Sequence, residues 1–460
     1  MYFQPYYLGC LAHASYLIGG SNGEAAVIDP RRDVDEYIED ARNAGLTIKY
    51  VIETHLHADF VSGHVELARR AGGATILLGA GSGAAFPHRP VQDGDVLTLG
   101  DLTLTFFATP GHTPEGVTIL AQSPGQPDRL FTGDTLFLGD VGRPDLVGAK
   151  GLTADHMARV LYRSLREKIL PLPDATEVWP AHGAGSSCGK KLSSERVSTL
   201  GLQRVQNIPL QLAQRGEEEA FAEYATEGLG APPAYFFHDA AKNREGGAEV
   251  ESVIATARAL APADVEEASE EGVLVLDTRA TGAFKAGHIP GAIEVQLDGN
   301  FAPYVGAVLP PSGPVIVVAE PGREREAMTR LIRVGYENIV GWLDGGMDAW
   351  LAAGGETATV AVLEPDDLRA RLADGTAPLV LDVRTLGEWE EGHIPGALHI
   401  PVAELGARMG EVPETKPVAV ICGSGYRSAI AVSLLLRAGR RDVRDVPGGM
   451  SAFTAAAAAA

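Results

Sequence analysis

The first half of the chain alternates short apolar runs with segments whose apolar residues recur at helical spacing. The apolar runs have the length of strands and lie at Ala25–Ile28, Tyr50–Glu53, Ile76–Leu78 and Leu102–Phe107. The pattern between and after them predicts helices at Val34–Ala44, Val61–Ala71 and Arg163–Leu170. Such alternation of strands and helices is typical of a layered α/β domain.

The pattern becomes less regular between residues 211 and 247. Gln211–Glu227 is polar and acidic, and its spacing predicts a helix. The two prolines of Pro232–Tyr235 come next, and we predict an irregular stretch from there to Gly247. We therefore place the first domain at residues 1–247.

The second half of the chain is an internal duplication with a period of roughly 105 residues. Three stretches of the first copy recur in the second: Leu274–Arg279 as Leu379–Arg384, Gly287–Ala292 as Gly392–Ala397, and Leu343–Met347 as Val446–Met450. A period of this length indicates a duplicated domain and not a solenoid. We place the two copies, both rich in β and α pattern, at residues 262–355 and 363–454.

Composition narrows the class of protein. A chain of 460 residues is too long for one core, and its formal net charge of −22 argues against nucleic acid and anionic membranes as partners. No apolar run reaches transmembrane length, and the N-terminus lacks a signal-peptide pattern. Three cysteines, Cys10, Cys188 and Cys422, are too few and too widely spaced for a disulfide framework. We therefore expect a reduced, cytoplasmic protein.

Residues that commonly bind metals follow the predicted strand Tyr50–Glu53. His55, His57 and Asp59 alternate along the chain, and side chains two residues apart at the end of an extended segment point the same way. Two imidazoles and a carboxylate suit a divalent transition metal. Three further residues of this kind each come after a strand-like run, namely His112, Asp134 and His182. The set predicts a metal centre at strand ends.

These six positions, in this order, resemble the metallo-β-lactamase superfamily, and the resemblance implies an αββα sandwich for the first domain. The dinuclear hydrolases of that superfamily, such as the glyoxalase II type, carry a histidine where this chain has Phe60. Because phenylalanine cannot bind a metal, the substitution favours a single ion. The persulfide dioxygenase branch usually keeps this histidine as well.

For the dioxygenase branch the resemblance implies one Fe(II) per chain, held by His55, His112 and Asp134. Two histidines and one carboxylate leave open positions on the metal, as in the non-heme iron oxygenases. His57, Asp59 and His182 would then support the ligands, bound water or substrate, or else serve as alternative metal ligands. Zinc is the alternative metal.

Two more residues are candidates near this centre. Arg143 lies shortly after Asp134, and the dioxygenase family has a similar arginine near its iron. It would hold the anionic tail of a persulfide, or else form an ion pair with an aspartate such as Asp145. Cys188 shares a Gly/Ser-rich loop with His182, and it either carries sulfur near the metal or is an inert buried cysteine.

The second chemical motif is the loop Cys422–Ser428, between an apolar strand and a predicted helix that continues to Arg437. Backbone N–H groups and the helix dipole at such a position stabilise a thiolate or persulfide on Cys422. Arg427 can pair with an incoming sulfur oxyanion, and Gly423 and Gly425 let the backbone curl around the sulfur. Ser424 and Tyr426 complete the loop as possible substrate contacts.

This loop, with Asp382–Arg384 and Gly392–Ala397, resembles rhodanese, the sulfurtransferase family, whose domains are doubly wound α/β folds. The first copy keeps the frame but has Ala319 where Cys422 stands, and Glu320 next to it would repel a persulfide anion. We interpret the first copy as a structural or docking module.

The order of the three domains resembles bacterial persulfide dioxygenase–sulfurtransferase fusions. The resemblance implies oxidation of glutathione or coenzyme A persulfide by O2 to sulfite, with sulfite and thiosulfate interconverted at Cys422. Two alternatives stay open: a zinc thioester hydrolase of the glyoxalase II type joined to a sulfurtransferase, and a non-catalytic sulfur carrier or sensor. We expect a homo-oligomer by the same resemblance.

Overall fold

The computed structural model describes residues 1–146, 151–230 and 232–455. These residues divide into two compact units. The first comprises Met1–Val250 and Ile332–Gly335, and the second comprises Glu251–Leu331 and the described residues from Tyr336 onward. Within the described ranges, no helix is both long enough and apolar enough to span a membrane.

The first unit contains two six-stranded sheets. The first sheet has the strand order β1 (Tyr2–Leu8), β2 (His13–Gly19), β3 (Glu24–Ile28), β4 (Thr47–Ile52), β5 (Thr75–Gly79) and β6 (Arg89–Val91). The second has the order β12 (Ser198–Thr199), β11 (Glu177–Pro180), β10 (Arg129–Gly133), β9 (Val117–Gln122), β8 (Leu102–Ala108) and β7 (Val96–Leu99). Strands β3 to β6 run parallel, as do β10 and β11, and the other pairs are antiparallel.

Helices lie along the chain between and after these strands. They are α1 (Asp35–Asn43), α2 (His64–Arg70), α3 (Ala154–Ser164), α4 (Leu200–Gln206), α5 (Ile208–Arg215), α6 (Glu218–Thr226) and α7 (Tyr235–Glu245). A 3₁₀ turn occupies Gly9–Leu11, and a π-helical turn at Leu165–Ile169 continues α3.

The alternation of apolar residues along the strands builds a four-layer αββα sandwich. Ile28 and Ile52 of the first sheet share a core with Phe106 and Phe131 of the second, so the two sheets pack face to face. The neighbouring residues Val27 and Val51 point to the opposite face, as strand geometry requires. They pack against α1 and α2 there. The outer face of the second sheet packs against α3, α5 and α6.

Two sequence predictions near the end of this unit were wrong. The predicted helix Gln211–Glu227 is interrupted, because Gly216 adopts a φ of +83° and ends α5 before α6 begins. The predicted irregular stretch from Pro232 to Gly247 contains the three-turn helix α7. The prolines lie ahead of this helix and do not break it, and its apolar residues Tyr235 and Phe236 are buried.

The second unit contains two five-stranded, wholly parallel sheets. One has the order β13 (Arg258–Leu260), β17 (Ile339–Leu343), β16 (Val315–Val318), β14 (Leu274–Asp277) and β15 (Ile293–Glu294). The other has the order β18 (Ala361–Val362), β22 (Val443–Asp445), β21 (Val418–Ile421), β19 (Leu379–Asp382) and β20 (Leu398–His399). The identical topology confirms the duplication.

Helices again connect the parallel strands. Those of the first copy are α8 (Val250–Thr256), α9 (Pro262–Glu270), α10 (Thr281–Ala286), α11 (Phe301–Val308), α12 (Glu324–Arg333) and α13 (Gly346–Ala352). Those of the second copy are α14 (Pro365–Asp374), α15 (Leu386–Glu390), α16 (Leu405–Arg408), α17 (Tyr426–Arg437) and α18 (Gly449–Ala455). The 3₁₀ turns Val402–Glu404 and Met409–Glu411 flank α16.

Candidate metal centre and thiol site

Three predicted metal ligands converge at the carboxyl ends of three strands of the first unit. His55 follows β4, His112 follows β8 and Asp134 follows β10, and one ligand atom from each lies within 4.8 Å of the others. His55 Nε2 is 3.7 Å and His112 Nε2 is 3.3 Å from Asp134 Oδ2. All three side chains are buried. The fold thus brings together the three residues to which the resemblance assigned the iron.

Hydrogen bonds fix both imidazoles with Nε2 toward Asp134. His112 Nδ1 donates to the carbonyl of Arg143 at 2.8 Å. The Thr54 hydroxyl donates to Asp29 at 2.8 Å, so its oxygen accepts from His55 Nδ1 at 3.0 Å. With Nδ1 occupied in this way, each ring presents the lone pair of Nε2 to the centre, which is the arrangement that metal-binding histidines use.

The chemistry of this set fits a divalent cation. Neither oxygen of Asp134 accepts an N–H or O–H hydrogen bond among the residues that the structure describes, although both are buried. A buried carboxylate without such partners is costly unless a cation balances it. Burial and the neighbouring His57 and His112 hold the pKa of His55 well below its ordinary value, so this ring is neutral and able to bind a metal.

The other three predicted residues form a second set beside the first. One ligand atom from each of His57, Asp59 and His182 lies within 4.8 Å of the others, and all three side chains are buried. His182 Nε2 is 3.4 Å from Asp59 and 3.7 Å from Asp134. Burial opposes protonation of His182, but Asp59 and Asp134 together raise its pKa to about 9. A proton on this ring would offset one of the two negative charges.

Phe60 lies beside this second set and offers it no ligand. Its ring is fully buried, with its centroid 4.5 Å from that of His57 and 6.5 Å from that of His182. His57 Nε2 turns to Asp29 at 3.3 Å and to Glu53 at 3.4 Å. The second set therefore has two imidazoles and one carboxylate.

Arg143 and Cys188 have distinct surroundings. The guanidinium of Arg143 pairs with both carboxylate oxygens of Asp145 at 2.7 Å and also donates to the carbonyl of Gly230. Its side chain thus makes the ion pair that was the alternative to substrate binding.

The sulfur of Cys188 lies within 4.8 Å of ligand atoms of Asp134 and His182. Burial, together with the nearby acidic groups, raises the pKa of its thiol well above its ordinary value.

Asn243 and His13 were not among the predicted site residues. Asn243 on α7 donates to the carbonyls of His57 and Phe60 and accepts from the N–H of Ser62, so it holds the ligand loop in place. His13, at the start of β2, packs its ring against that of Phe60 in a tilted arrangement, with the centroids 4.1 Å apart. The buried positions Tyr235, Asp239 and Asn243 are four residues apart, and this spacing could have revealed α7.

In the second unit, Cys422 lies between the end of β21 and the start of α17. Its Sγ accepts a hydrogen bond from the N–H of Gly425 at 3.0 Å and lies 3.6 Å from the hydroxyl of Ser428. Gly425 adopts a φ of +102°, a backbone conformation that glycine adopts without strain. The buried sulfur therefore has a backbone donor that stabilises an anion on it.

The remaining loop residues differ in their contacts. Arg427 forms a bidentate pair with Glu388, at 2.5 Å and 2.6 Å, and this arginine holds the pKa of the Glu388 carboxyl at about 2. Tyr426 donates its hydroxyl to the carbonyl of Gln296 at 3.1 Å. Gly423 is half-buried and Ser424 is exposed. In the first copy the equivalent strand β16 is followed by the buried Ala319, which has no thiol.

Comparisons with known proteins agree with this architecture. The family model described as the metallo-beta-lactamase superfamily matches residues 8–182, and the model of the rhodanese-like domain matches residues 261–353 and 364–456. A crystal structure of a metallo-beta-lactamase from Staphylococcus aureus is 32% identical, with a TM-score of 0.65. The alignment covers 74% of this chain and 98% of that one.

The chain belongs to the metallo-β-lactamase superfamily. Its metallo-β-lactamase domain is followed by two rhodanese-like domains, as the sequence patterns predicted. A probable metallo-hydrolase of Burkholderia pseudomallei is 35% identical over 36% of this chain. The mitochondrial persulfide dioxygenase ETHE1 of Homo sapiens is 33% identical over the same share. The chain spans 67% and 63% of the lengths of these two curated relatives.

Proposed function

We propose that the chain catalyses iron-dependent oxidation of a low-molecular-weight persulfide by O2, and that Cys422 performs sulfurtransfer. The observation that carries the first half is the convergence of His55, His112 and Asp134, with both rings fixed to present Nε2. The similarity to a human persulfide dioxygenase supports it. Glutathione persulfide and coenzyme A persulfide are the substrates we infer.

The residues of this centre have separable tasks. His55, His112 and Asp134 would hold one Fe(II), which when bound would supply open positions and activate O2 for reaction with the persulfide sulfur. Thr54 and the Arg143 carbonyl keep the two rings in the required tautomer. Overall, one persulfide, one O2 and one water give one thiol and one sulfite, so sulfur is oxidised and O2 is reduced.

The second half of the proposal concerns Cys422. The thiolate attacks the outer sulfur of thiosulfate, the sulfur–sulfur bond breaks, and sulfite leaves with the electron pair. The reverse reaction makes thiosulfate from sulfite and the Cys422 persulfide. The Gly425 amide supports the anion on sulfur in both directions. Carrying both sites on one chain raises the effective concentration of sulfite near the acceptor site.

Oxygen consumption tests the oxidation directly. The iron-loaded protein should consume O2 when given glutathione persulfide or coenzyme A persulfide, and sulfite and the thiosulfate made from it should together accumulate in equal amount. His112→Ala should lower this rate by at least about 100-fold, because a ligand is lost. His156→Ala is the matched control, since His156 is exposed on α3. Absence of O2 uptake by the iron-loaded wild type would refute the proposal.

A zinc-dependent thioester hydrolase is the second candidate, and the set His57, Asp59 and His182 favours it, since it could hold a second ion. Two zinc ions per chain with thioesterase activity would support this candidate. A protein with neither activity would be the sulfur carrier or sensor.

Cytoplasmic location and homo-oligomer formation stay predictions. Light scattering tests the formation of a homo-oligomer.

A further inference from the structure

A tyrosine of the first rhodanese-like domain reaches the thiol loop of the second. Tyr304 lies on α11, and its ring centroid is 5.4 Å from that of Tyr426, which opens the helix after Cys422. Burial raises the pKa of the Tyr304 phenol; Arg427 opposes this shift, while Cys422 and Glu388 add to it. The phenol is therefore close enough to interact electrostatically with all three groups of the sulfurtransfer site.

The segment that leads into α11 lies against the Tyr426 side chain. Tyr426 donates its hydroxyl to the carbonyl of Gln296 in the segment that leads into α11. Gly299 in the same segment has a φ of +105°, and a Cβ there would lie 3.3 Å from the Tyr426 ring. The absence of a side chain at Gly299 lets the segment lie against the loop. Phe301, at the start of α11, is fully buried and anchors the helix.

The arginine of the thiol site is already paired. Both terminal nitrogens of Arg427 already pair with Glu388, which cancels much of the charge that a sulfur oxyanion would meet. Among the residues that the structure describes, the Tyr304 hydroxyl makes no hydrogen bond to a protein partner. A phenol is a good donor to an oxyanion, and a hydrogen bond to a charged group is among the stronger kinds.

We propose that Tyr304 is a substrate-binding residue of the Cys422 site and that its hydroxyl donates a hydrogen bond to a sulfonate oxygen of thiosulfate, or to sulfite. This inference rests on the proposed sulfurtransferase activity. In the reaction, Cys422 gains the outer sulfur, the sulfur–sulfur bond of thiosulfate breaks, and sulfite departs with the electron pair while Tyr304 keeps its proton. The domain without a thiol thus contributes a group to the active site of its neighbour.

Steady-state kinetics of thiosulfate:cyanide sulfurtransfer tests the proposal on the full chain. Tyr304→Phe keeps the ring and removes the donor, so the KM for thiosulfate should rise about 10-fold. The KM for cyanide, which has no oxyanion, should stay within about 2-fold, as should kcat. An unchanged KM for thiosulfate would overturn the inference while leaving the sulfurtransferase intact.

Tyr336→Phe separates substrate binding from a structural role. The Tyr336 hydroxyl donates to the carbonyls of Val305 and Leu309, at 3.2 Å and 2.7 Å, so its loss disturbs α11 without removing a group from the thiol site. This variant should melt at a lower temperature and keep the wild-type KM for thiosulfate. If it raises that KM as much as Tyr304→Phe, the effect is structural and the inference fails.

Failure of the underlying activity would look different. The intact mass of the wild type after incubation with thiosulfate should increase by one sulfur atom on Cys422. If neither this mass increase nor turnover is seen in the wild type, the proposed sulfurtransfer is refuted and the role of Tyr304 falls with it.

Discussion

The two rhodanese-like domains share a frame and differ in chemistry. In each, an aspartate at a strand end pairs with the arginine two residues later: Asp277 with Arg279, and Asp382 with Arg384. Both arginines also donate to a glycine carbonyl eight residues further along the chain. These buried pairs occupy the same place in sheets of the same topology. The frame therefore does not depend on a catalytic thiol.

The loops after the matched strands β16 and β21 show the difference. In the second domain the amide of Gly425 donates to the sulfur of Cys422. In the first, the amide of Gly322 donates to the carboxylate of Glu324 at 3.1 Å, and the position of the thiol is taken by the buried Ala319. The folding information and the chemical information of these domains thus lie in different residues, and one can be lost while the other stays.

The largest expected effect comes from removing the thiol of the second rhodanese-like domain or moving it to the first. Cys422→Ala should abolish thiosulfate sulfurtransfer, because no other cysteine lies on a comparable loop among the described residues. Adding Ala319→Cys to this variant should not restore transfer, since the amide of Gly322 serves Glu324 and Glu320 is adjacent. Cyanolysis of thiosulfate measures the sulfurtransfer activity of both variants. Activity that survives Cys422→Ala would remove the thiol assignment.

The shared frame predicts equal losses of stability in the two domains. Arg279→Ala and Arg384→Ala each leave a fully buried aspartate without its partner, and breaking such a pair costs about 3–5 kcal/mol. Hydrogen exchange can follow the two domains separately in one sample. A large loss in one domain and none in the other would show that the matching pairs do not serve the same purpose.

The stability of the first rhodanese-like domain should depend on pH in a way that the stability of the second does not. Burial raises the pKa of Glu294 on β15 to about 8, whereas the matching position on β20 is His399. The unfolded chain releases this proton near pH 4.5 and the folded domain near pH 8, so stability is lost as the pH rises between these values.

Glu294→Gln should remove that loss, which we expect to be on the order of 3 kcal/mol between pH 5 and pH 8. Glu320→Gln, at an exposed position, is the control that should leave the dependence unchanged. Urea unfolding of the first rhodanese-like domain at both pH values measures this loss of stability. A wild-type domain as stable at pH 8 as at pH 5 would contradict the raised pKa.

The sequence predicted which site residues lie at strand ends, but it did not predict which other residues contact them in the fold. His55, His112 and Asp134 each follow an apolar run, and runs of this kind become strands because their apolar side chains are buried against a neighbouring layer. The helix α7 was missed because Pro232 and Pro233 indicated a loop. This helix carries Asn243, whose side chain forms hydrogen bonds with residues more than 180 positions away in the sequence.

Contacts over long sequence distances explain the other gaps. The spacing of Arg143 and Asp145 allowed an ion pair, but only the fold shows the carbonyl of Gly230 completing it. The place of Tyr304 beside the thiol loop follows from the packing of two domains. No local pattern in α11 indicates it.

The number and kind of metal ions in the purified protein, measured together with its O2 uptake, test the central claim most directly. The account predicts one iron per chain, lost in Asp134→Asn together with persulfide-dependent O2 uptake. Two zinc ions per chain, filling His57, Asp59 and His182 as well as the first set, in a protein that consumes no O2 when reloaded with iron, would contradict it.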